Sequence, residues 1–255
     1  MSVELPIPAV AAVPALPGAF LRAGWYHLAM LNYPADAGML QKYVPAGTEL
    51  DLWQGRAYLS VVGFMMLDTR VRGIPIRCHR NFEEVNLRIY VRRKTANGWR
   101  RGVVFIKEIV PRWMTAWVAR RFYNENYVAM PMRHHVVLPT AAAPAGSVCF
   151  EWSCEGRWNS VSAKIAGAPA ALATGSEEEF ITEHYWGYCR QRDGATVEYG
   201  VEHPPWRVWA AANARLDCDV AAVYGAEFAA PLAGVPSSAF VADGSSVVVR
   251  RGVRL

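Results

Sequence analysis

The clearest pattern of apolar and polar positions along the chain lies in the segment Phe82–Arg93. Apolar residues occupy every second position there, at Val85, Leu87, Ile89 and Val91. This alternation predicts a β-strand, because successive side chains of a strand point to opposite faces. The residues on the other face are Glu84, Asn86, Arg88 and Tyr90. A carboxylate, an amide, a guanidinium and a phenol are therefore expected to project from one side of a single strand.

The polar face of this strand has two interpretations. On an antiparallel sheet with one wet side, the row would face solvent. In a closed barrel, the same row would be buried and would face a ligand. The alternation alone fits both arrangements. Glu84 favours the interior, because the apolar positions on the other face already suffice for one hydrophobic layer outside a barrel.

Turn residues divide the rest of the chain into further strands and a few short helices. The predicted strands and hairpins are Gly24–Asn32, Asp51–Phe64, Gly102–Val110, Val148–Glu155, Arg157–Ile165, His184–Arg190, Thr196–His203, Trp206–Ala211 and Val247–Val249. The predicted helical segments are Ala37–Tyr43, Arg112–Tyr123, a turn capped by Ser176, and Ala221–Leu232. Strands predominate, and the helices occur singly between hairpins. This order predicts an α+β domain of mainly antiparallel strands, as a curled sheet or barrel.

The 255 residues are predicted to form an extended N-terminal arm, residues 1–22, followed by a single domain, residues 23–255. Prolines at positions 6, 8, 14 and 17 exclude a continuous helix in the arm. No stretch reaches the roughly 20 apolar residues of a membrane helix, so a soluble protein is expected. Pro139–Gly146 is the one candidate linker, and a surface loop is the better interpretation of it.

The net charge of +5 does not indicate a nucleic-acid-binding protein. The basic residues are 23 arginines and 4 lysines, scattered in short pairs rather than gathered in one run. The five cysteines contain no C-x-x-C pair, so neither a disulfide scaffold nor a structural zinc site is expected, and a reducing cytoplasm fits. Adjacent His134 and His135 would point to opposite faces of a strand and are not expected to share a metal ion.

Familiar motifs of phosphate-binding, dinucleotide-binding, metal-dependent and serine-nucleophile sites are absent from the sequence. The chain has no glycine-rich phosphate loop, no dinucleotide-binding fingerprint, no H-E-x-x-H and no G-x-S-x-G motif. No cofactor and no metal site is therefore predicted.

A second group of candidate residues lies on the predicted strand His184–Arg190. By alternation, His184, Trp186 and Tyr188 would share one face. If that face lines a pocket, His184 is the candidate for acid–base chemistry near neutral pH. The alternative is a hydrogen-bonded core histidine, which is the commoner role of a lone histidine among aromatic residues.

Several blocks of the sequence, in order, resemble a known family. They are LNYPADAGMLQKYVPAGTELD, FEEVNLRIYV, GVVFIKEIVP, ARRFYNENYVAMPM and EHYWGY. Together they are similar to the bacterial YqjF-like family of unknown function, which is grouped with the acetoacetate decarboxylase-like superfamily. The resemblance extends over about Trp25 to Val249, nearly the whole chain.

This resemblance implies a twisted antiparallel sheet curled around a central cavity. In the decarboxylases, a cavity lysine forms a Schiff base with a β-keto acid, and a glutamate and an arginine help to position the substrate. Glu84 resembles that glutamate, because it begins the equivalent strand. The position of the reactive lysine corresponds to about Asn124–Val128, where this chain has the sequence NENYV and no lysine.

The four lysines of the chain are Lys42, Lys94, Lys107 and Lys164. Only Lys107 is on a predicted core strand, where alternation places it on an apolar face with Val103, Phe105 and Ile109. Burial on that face would lower its pKa and favour nucleophilic chemistry. The alternative is a lysine near a strand end that extends to water. Alternation places the neighbouring Glu108 on the opposite face.

Two functions are therefore expected, both of them with a small-molecule ligand. In the first, the protein is an enzyme that acts on an organic acid or carbonyl compound by acid–base chemistry without a Schiff-base lysine. Glu84 would be the acid or base, and Arg88 would anchor a carboxylate. The residues expected to orient or contact the substrate are Asn86, Tyr127, His184 and Tyr188. In the second, the protein keeps the cavity but only binds a ligand. A homo-oligomer is left open.

Overall fold

The computed structural model of the protein describes residues 18–75, 80–112 and 126–255. The predicted arm up to residue 17 and the predicted helix Arg112–Tyr123 beyond its first residue lie outside these ranges. The same is true of the first two residues of the segment Asn124–Val128.

In these ranges the structure consists mainly of strands, numbered here in chain order. They are β1 (Ala19–Ala35), β2 (Glu49–Leu50), β3 (Ala57–Val71), β4 (Ile74–Pro75), β5 (Phe82–Thr95), β6 (Gly98–Val110), β7 (Tyr127–Ala129), β8 (Met132–Val137), β9 (Ala145–Cys154), β10 (Arg157–Ala166), β11 (Ala170–Ala171), β12 (Trp186–Arg190), β13 (Thr196–Glu202), β14 (Arg207–Ala210), β15 (Ala212–Asp217), β16 (Ser238–Arg250) and β17 (Val253–Arg254). The α-helices are α1 (Ala37–Leu40), α2 (Glu177–Thr182) and α3 (Val220–Tyr224). Short 3₁₀ segments follow α1 at Gln41–Tyr43 and α3 at Ala226–Phe228.

The larger sheet closes into a barrel. Its central strands run in the order β16, β1, β3, β5, β6, β12 and β13, and β13 pairs with β16 again. Neighbours in this ring are antiparallel except for β6 and β12, which pair in parallel at Trp186 and Gly102. A side chain at position 102 would collide with the backbone of Trp186, so glycine permits the close approach at this seam.

A second sheet covers one side of the barrel. It contains β15, β10, β9 and β8 in that order, all antiparallel. Its residues Phe150, Trp152 and Val161 are fully buried and belong to one core cluster with Val85 and Leu87 of the barrel wall. The apolar face of β5 is therefore the outer face of the barrel, and the second sheet shields it from water.

A second core cluster fills part of the barrel interior. Leu28, Met30, Val62, Phe64 and Phe240 belong to it, and each is at most 2% exposed. The predicted fold class is confirmed, since the protein is an α+β domain of mainly antiparallel strands with a few short helices.

Several element boundaries differ from those predicted. β1 begins at Ala19, so residues 19–22 of the predicted arm belong to the barrel. β16 has 13 residues and pairs with β1 along most of its length, although only Val247–Val249 were predicted as a strand. Its first half contains serine, aspartate and glycine, and its strand conformation depends on pairing with β1 rather than on its own propensity. The predicted continuous helix Ala221–Leu232 is instead a short α-helix, a 3₁₀ segment and a turn, because Gly225 ends α3 with φ of 115°.

The contact between barrel and second sheet yields a stability prediction. A Cβ at Gly63 would lie 2.8 Å from both Phe150 and Val161, so Gly63→Ala should lower the free energy of unfolding by about 1–3 kcal/mol. Gly200→Ala is the matched control, because its Cβ would meet nothing closer than 3.4 Å. Urea denaturation of both variants measures the difference. Equal stability of the two would contradict the tight packing at Gly63.

Candidate ligand cavity

The barrel encloses a cavity of about 230 Å³ whose lining is mostly apolar. A minority of its lining residues carry polar groups. They are Thr69, Glu84, Asn86, Arg88, Glu108, Tyr127, Thr182, His184, Tyr199, His203 and Arg250. A mainly apolar cavity with a few convergent polar groups is the usual form of a small-molecule site.

The polar row of β5 lies inside the barrel. Glu84, Asn86, Arg88 and Tyr90 are 3%, 2%, 8% and 1% exposed, respectively. The polar face of β5 therefore faces the barrel interior and not solvent. Apart from Tyr90, these residues also line the cavity.

Glu84 lies in a network with two other predicted site residues. The Asn86 amide Nδ2 donates to Glu84 Oε1 at 3.2 Å, and the Tyr127 hydroxyl donates to Glu84 Oε2 at 3.3 Å. The amide oxygen of Asn86 is buried and has no hydrogen-bond partner among the described residues. A buried acceptor without a partner is costly, so this oxygen is suited to a donor on a ligand.

A β-bulge brings a second carboxylate, that of Glu108, into the cavity, which the alternation of β6 did not predict. Between β5 and β6 the register shifts, so that Leu87 pairs with Lys107 whereas Arg88 pairs with Phe105. The shift reverses the alternation of β6 beyond this point. Glu108 consequently lies opposite Asn86, is 2% exposed and lines the cavity. Strict alternation contains no signal for this bulge.

The same bulge corrects the prediction for Lys107. Its side chain lies outside the cavity, away from Phe105, and its ammonium donates to the backbone oxygen of Val223. Lys42 pairs with Glu227 on the surface, and Lys94 and Lys164 are exposed. All four lysines of the chain fall within the described ranges, and none of them lines the cavity.

Tyr127 is held as a proton donor. It lies on β7 beside Glu108, with which it pairs through the backbone. Burial, and after it the charges of Glu108 and Glu84, raise the pKa of Tyr127 well above its ordinary value of 10. The phenol is therefore protonated throughout the neutral range.

Arg88 is a buried cation in a mostly apolar setting. Its Nε donates to the Tyr90 hydroxyl at 3.3 Å, and its Nη2 donates to the backbone oxygen of Ile181 at 3.5 Å. Nη2 also lies 3.8 Å from the sulfur of Met30. Arg88 forms no salt bridge with any carboxylate in the part of the chain that the structure describes.

His184 lines the cavity but is not poised for proton transfer at neutral pH. Its Nε2 lies 3.2 Å from Asp51 Oδ2, and Arg101 Nε donates to the same oxygen at 2.6 Å. Burial lowers the pKa of His184 to about 4 despite the hydrogen bond to Asp51. His184 is therefore neutral, donates from Nε2 to Asp51, and leaves a buried Nδ1 without a partner among the described residues.

Tyr188 does not lie in the cavity, contrary to the alternation from His184. Its ring is fully buried in the outer core cluster, and its hydroxyl donates to the backbone oxygen of Arg100 at 3.2 Å. Trp186, predicted on the same face, does line the cavity with His184, so the cavity ends between Trp186 and Tyr188 along β12 and Tyr188 packs beyond it.

His203 is a cavity residue that the sequence analysis missed. Its ring stacks on Trp206 at 4.0 Å between centroids, and its Nδ1 lies 2.9 Å from the backbone oxygen of Pro204. Burial lowers the pKa of His203 to about 4. The residue lies at the end of a predicted strand, in a sequence without any recognisable motif.

The model of a family described as an uncharacterized conserved protein, DUF2071, matches residues 22–246 of the chain. The chain belongs to the DUF2071 family. The uncharacterized protein YqjF of Bacillus subtilis (strain 168) is 26% identical over 192 residues, which are 73% of this chain and 74% of YqjF. The resemblance to YqjF-like proteins is thereby confirmed.

Solved structures similar to this DUF2071 protein belong to acetoacetate decarboxylase-like proteins. Acetoacetate decarboxylase from Legionella pneumophila has a TM-score of 0.65 and 12% identity, with 98% of each chain covered. The enduracididine biosynthesis enzyme MppR complexed with pyruvate has a TM-score of 0.64 and 11% identity, again over 98% of each chain. An acetoacetate decarboxylase-like enzyme from Sphingomonas wittichii RW1 has a TM-score of 0.60 and 14% identity, over 98% of this chain and 100% of that one. These similarities establish the fold.

Among residues 18–75, 80–112 and 126–255, no three His, Cys, Asp or Glu side chains are grouped so that they could hold a metal ion. His134 contacts Glu83 at 2.6 Å, whereas His135 is exposed. Among the described helices of the DUF2071 protein, none has the length and apolar character needed to cross a membrane.

The buried histidines predict how the stability depends on pH. Unfolded histidine has a pKa near 6.5, whereas burial lowers that of folded His184 to about 4. Below pH 6.5 the unfolded chain binds a proton at this histidine that the folded chain does not, and this proton favours unfolding. The contribution of neutral, buried His184 to the free energy of unfolding is therefore fully present above pH 6.5 and is lost as the pH falls toward 4. The free energy of unfolding should therefore be lower at pH 5 than at pH 7, and His184→Gln should reduce that difference by up to about 2 kcal/mol.

Urea denaturation at pH 7 and pH 5 measures this difference for each variant. The control is His135→Gln, which removes an exposed histidine and should leave the pH dependence as in the wild type. An unchanged pH dependence in His184→Gln would contradict a buried, neutral His184.

Proposed function

We propose that the protein binds a small organic acid with a carbonyl group, and that it moves a proton on the carbon next to that carbonyl. The observation that carries this proposal is Arg88, a guanidinium that is 8% exposed, lines the cavity and forms no salt bridge among the described residues. A buried charge is costly unless an opposite charge compensates it. A ligand carboxylate at Arg88 would supply that compensation.

Glu84 is the group suited to accept the proton. Its carboxylate lies on the same face of β5 as Arg88, with Asn86 between them. When Glu84 takes a proton from the α-carbon, the C–H electrons form the carbon–carbon double bond of an enolate, and negative charge develops on the carbonyl oxygen. The phenol of Tyr127 and the amide of Asn86 are the neighbouring hydrogen-bond donors for that oxygen.

The lining of the cavity argues against imine chemistry. Schiff-base formation needs a lysine amine that reaches the carbonyl carbon of the substrate. No lysine of this chain lines the cavity, and Lys107 lies on the other side of the barrel wall. The similar structure of MppR holds pyruvate. That complex supports a 2-oxo acid as the class of ligand here.

2-Oxobutanoate tests the proposal. The wild-type protein should bind it and should catalyse exchange of its C3 hydrogens with D₂O, followed by proton NMR. Arg88→Gln should weaken binding of 2-oxobutanoate by about 10–100-fold, because it removes a hydrogen bond between charged groups. The same variant should leave binding of the neutral 2-oxobutanamide within about twofold of wild type. Glu84→Gln should keep binding but should slow the exchange by about 100-fold or more.

The chain offers a matched control for each substitution. Arg92→Gln removes a half-exposed arginine of the same strand that pairs with Glu49, and Glu83→Gln removes the adjacent glutamate that pairs with His134. Both controls should retain binding and exchange. Borohydride should leave the protein mass unchanged, and a reduced lysine adduct would contradict the mechanism. Binding without exchange in the wild type would favour the alternative function, a non-catalytic ligand-binding protein.

A further inference from the structure

A row of polar residues crosses the barrel interior at the level of Arg88. The pairing registers of four neighbouring strands place Ser238, Asn32, Ser60 and Arg88 directly beside one another, on β16, β1, β3 and β5. Asn32 and Ser60 are 0% exposed. Directly paired residues of adjacent strands lie within contact distance on the same face, so the row is continuous.

Hydrogen bonds connect Arg88 to this row through Tyr90. Arg88 Nε donates to the Tyr90 hydroxyl at 3.3 Å, and this hydroxyl donates to Ser60 Oγ at 2.6 Å. Ser60 then donates to Asn32 Oδ1, also at 2.6 Å. All four residues are buried.

The far end of the row reaches a carboxylate near the surface. Asn32 Nδ2 donates to Ser238 Oγ at 3.0 Å, and the Ser238 hydroxyl donates to Glu177 Oε1. Tyr58 donates to the other oxygen of Glu177 at 3.2 Å. Glu177 is half-buried and lies in the first turn of α2.

Arg88 and Glu177, at the two ends of this hydrogen-bonded row, fix the direction of every hydrogen bond in it. A guanidinium can only donate, and an ionised carboxylate can only accept. Tyr90, Ser60 and Ser238 must therefore each accept from the Arg88 side and donate toward Glu177, as the structure has them. Hydrogen bonds aligned in one direction polarise one another, so the positive charge of Arg88 is partly compensated along the row.

This arrangement leaves Arg88 available to a ligand. A carboxylate in direct contact would compensate its charge fully but would also occupy the guanidinium. Glu177 compensates from four hydrogen-bonded residues away, and within the described residues the other groups to which Arg88 donates are the neutral Ile181 carbonyl and the Met30 sulfur. The buried charge of Arg88 is therefore partly stabilised, and its guanidinium remains available to bind the anionic group of a ligand.

We propose that Tyr90, Ser60, Asn32 and Ser238 are positioning residues, which hold Arg88 and link it to Glu177 as a remote counter-charge, so that the cavity selects carboxylate ligands over neutral ones. The ligand part of this inference rests on the proposed function. The positioning part does not, because the state of the Arg88 Nε–H group can be observed without any ligand.

Tyr90→Phe is the decisive variant, because it removes one hydroxyl from the middle of the row. The Nε–H signal of Arg88 in ¹⁵N NMR, assigned by its loss in Arg88→Gln, should shift and should exchange faster with water. The dissociation constant for 2-oxobutanoate should rise by about 3–10-fold, whereas that for 2-oxobutanamide should change less than about twofold. Tyr33→Phe is the control, since Tyr33 is a buried tyrosine of the outer core beside Asn32.

The remote counter-charge is tested by Glu177→Gln against Glu178→Gln. Both remove one carboxylate from the first turn of α2, but only Glu177 accepts from Ser238. Glu177→Gln should weaken 2-oxobutanoate binding by about 2–5-fold, and Glu178→Gln should not. Ser60→Ala provides a second break in the row should Tyr90→Phe fold poorly.

The outcomes separate the two proposals. An unchanged Arg88 Nε–H signal in both Tyr90→Phe and Ser60→Ala would overturn the positioning role, whatever the ligand. Equal loss of acid and amide binding would overturn the selection of charge. A changed Nε–H signal together with a wild-type protein that binds no 2-oxobutanoate would support the positioning role and would refute the proposed function alone.

Discussion

The burial of one guanidinium charge is the constraint on which the cavity depends. Arg88 is enclosed in a barrel whose other lining groups are mostly apolar, and no carboxylate of the described residues contacts it. Its stabilisation comes instead from the Ile181 carbonyl of α2 and from the polar row that begins at Tyr90. This arrangement depends on the pairing of four neighbouring strands, because the row exists only where β16, β1, β3 and β5 are in register.

The polar groups of the cavity divide into two parts along β5. Arg88 and its row form the cationic part, whereas Glu84, Glu108 and Tyr127 form the part with carboxylates. A ligand with a carboxylate at one end and an acidic C–H at the other matches this polarity. The neighbouring His184 belongs to neither part, since it is neutral and fixed by Asp51.

The sequence was sufficient to predict the fold and the polar row of β5, although the alternation fitted a solvent face as well as a cavity wall. The alternation of β5 identified Glu84, Asn86 and Arg88 as one row, and the ordered blocks identified the family. The sequence could not predict which side of the barrel wall Glu108 and Lys107 face. A one-residue bulge exchanges their faces, and the apolar–polar alternation of β6 gives no indication of it.

Residues that meet only through tertiary pairing were also beyond the sequence. Asn32, Ser60 and Ser238 lie on three different strands, and the first and last of them are 206 residues apart. Each has a local context that is unremarkable for a strand. Only the pairing registers bring them into one row.

A crystal structure of the protein with 2-oxobutanoate would show whether Arg88 binds the ligand carboxylate. The ligand is expected to lie in the barrel, with a carboxylate oxygen within about 3.2 Å of the Arg88 guanidinium and its C3 carbon toward Glu84. A ligand bound in the barrel with its carboxylate directed away from Arg88, or bound only outside the barrel, would contradict that role of Arg88.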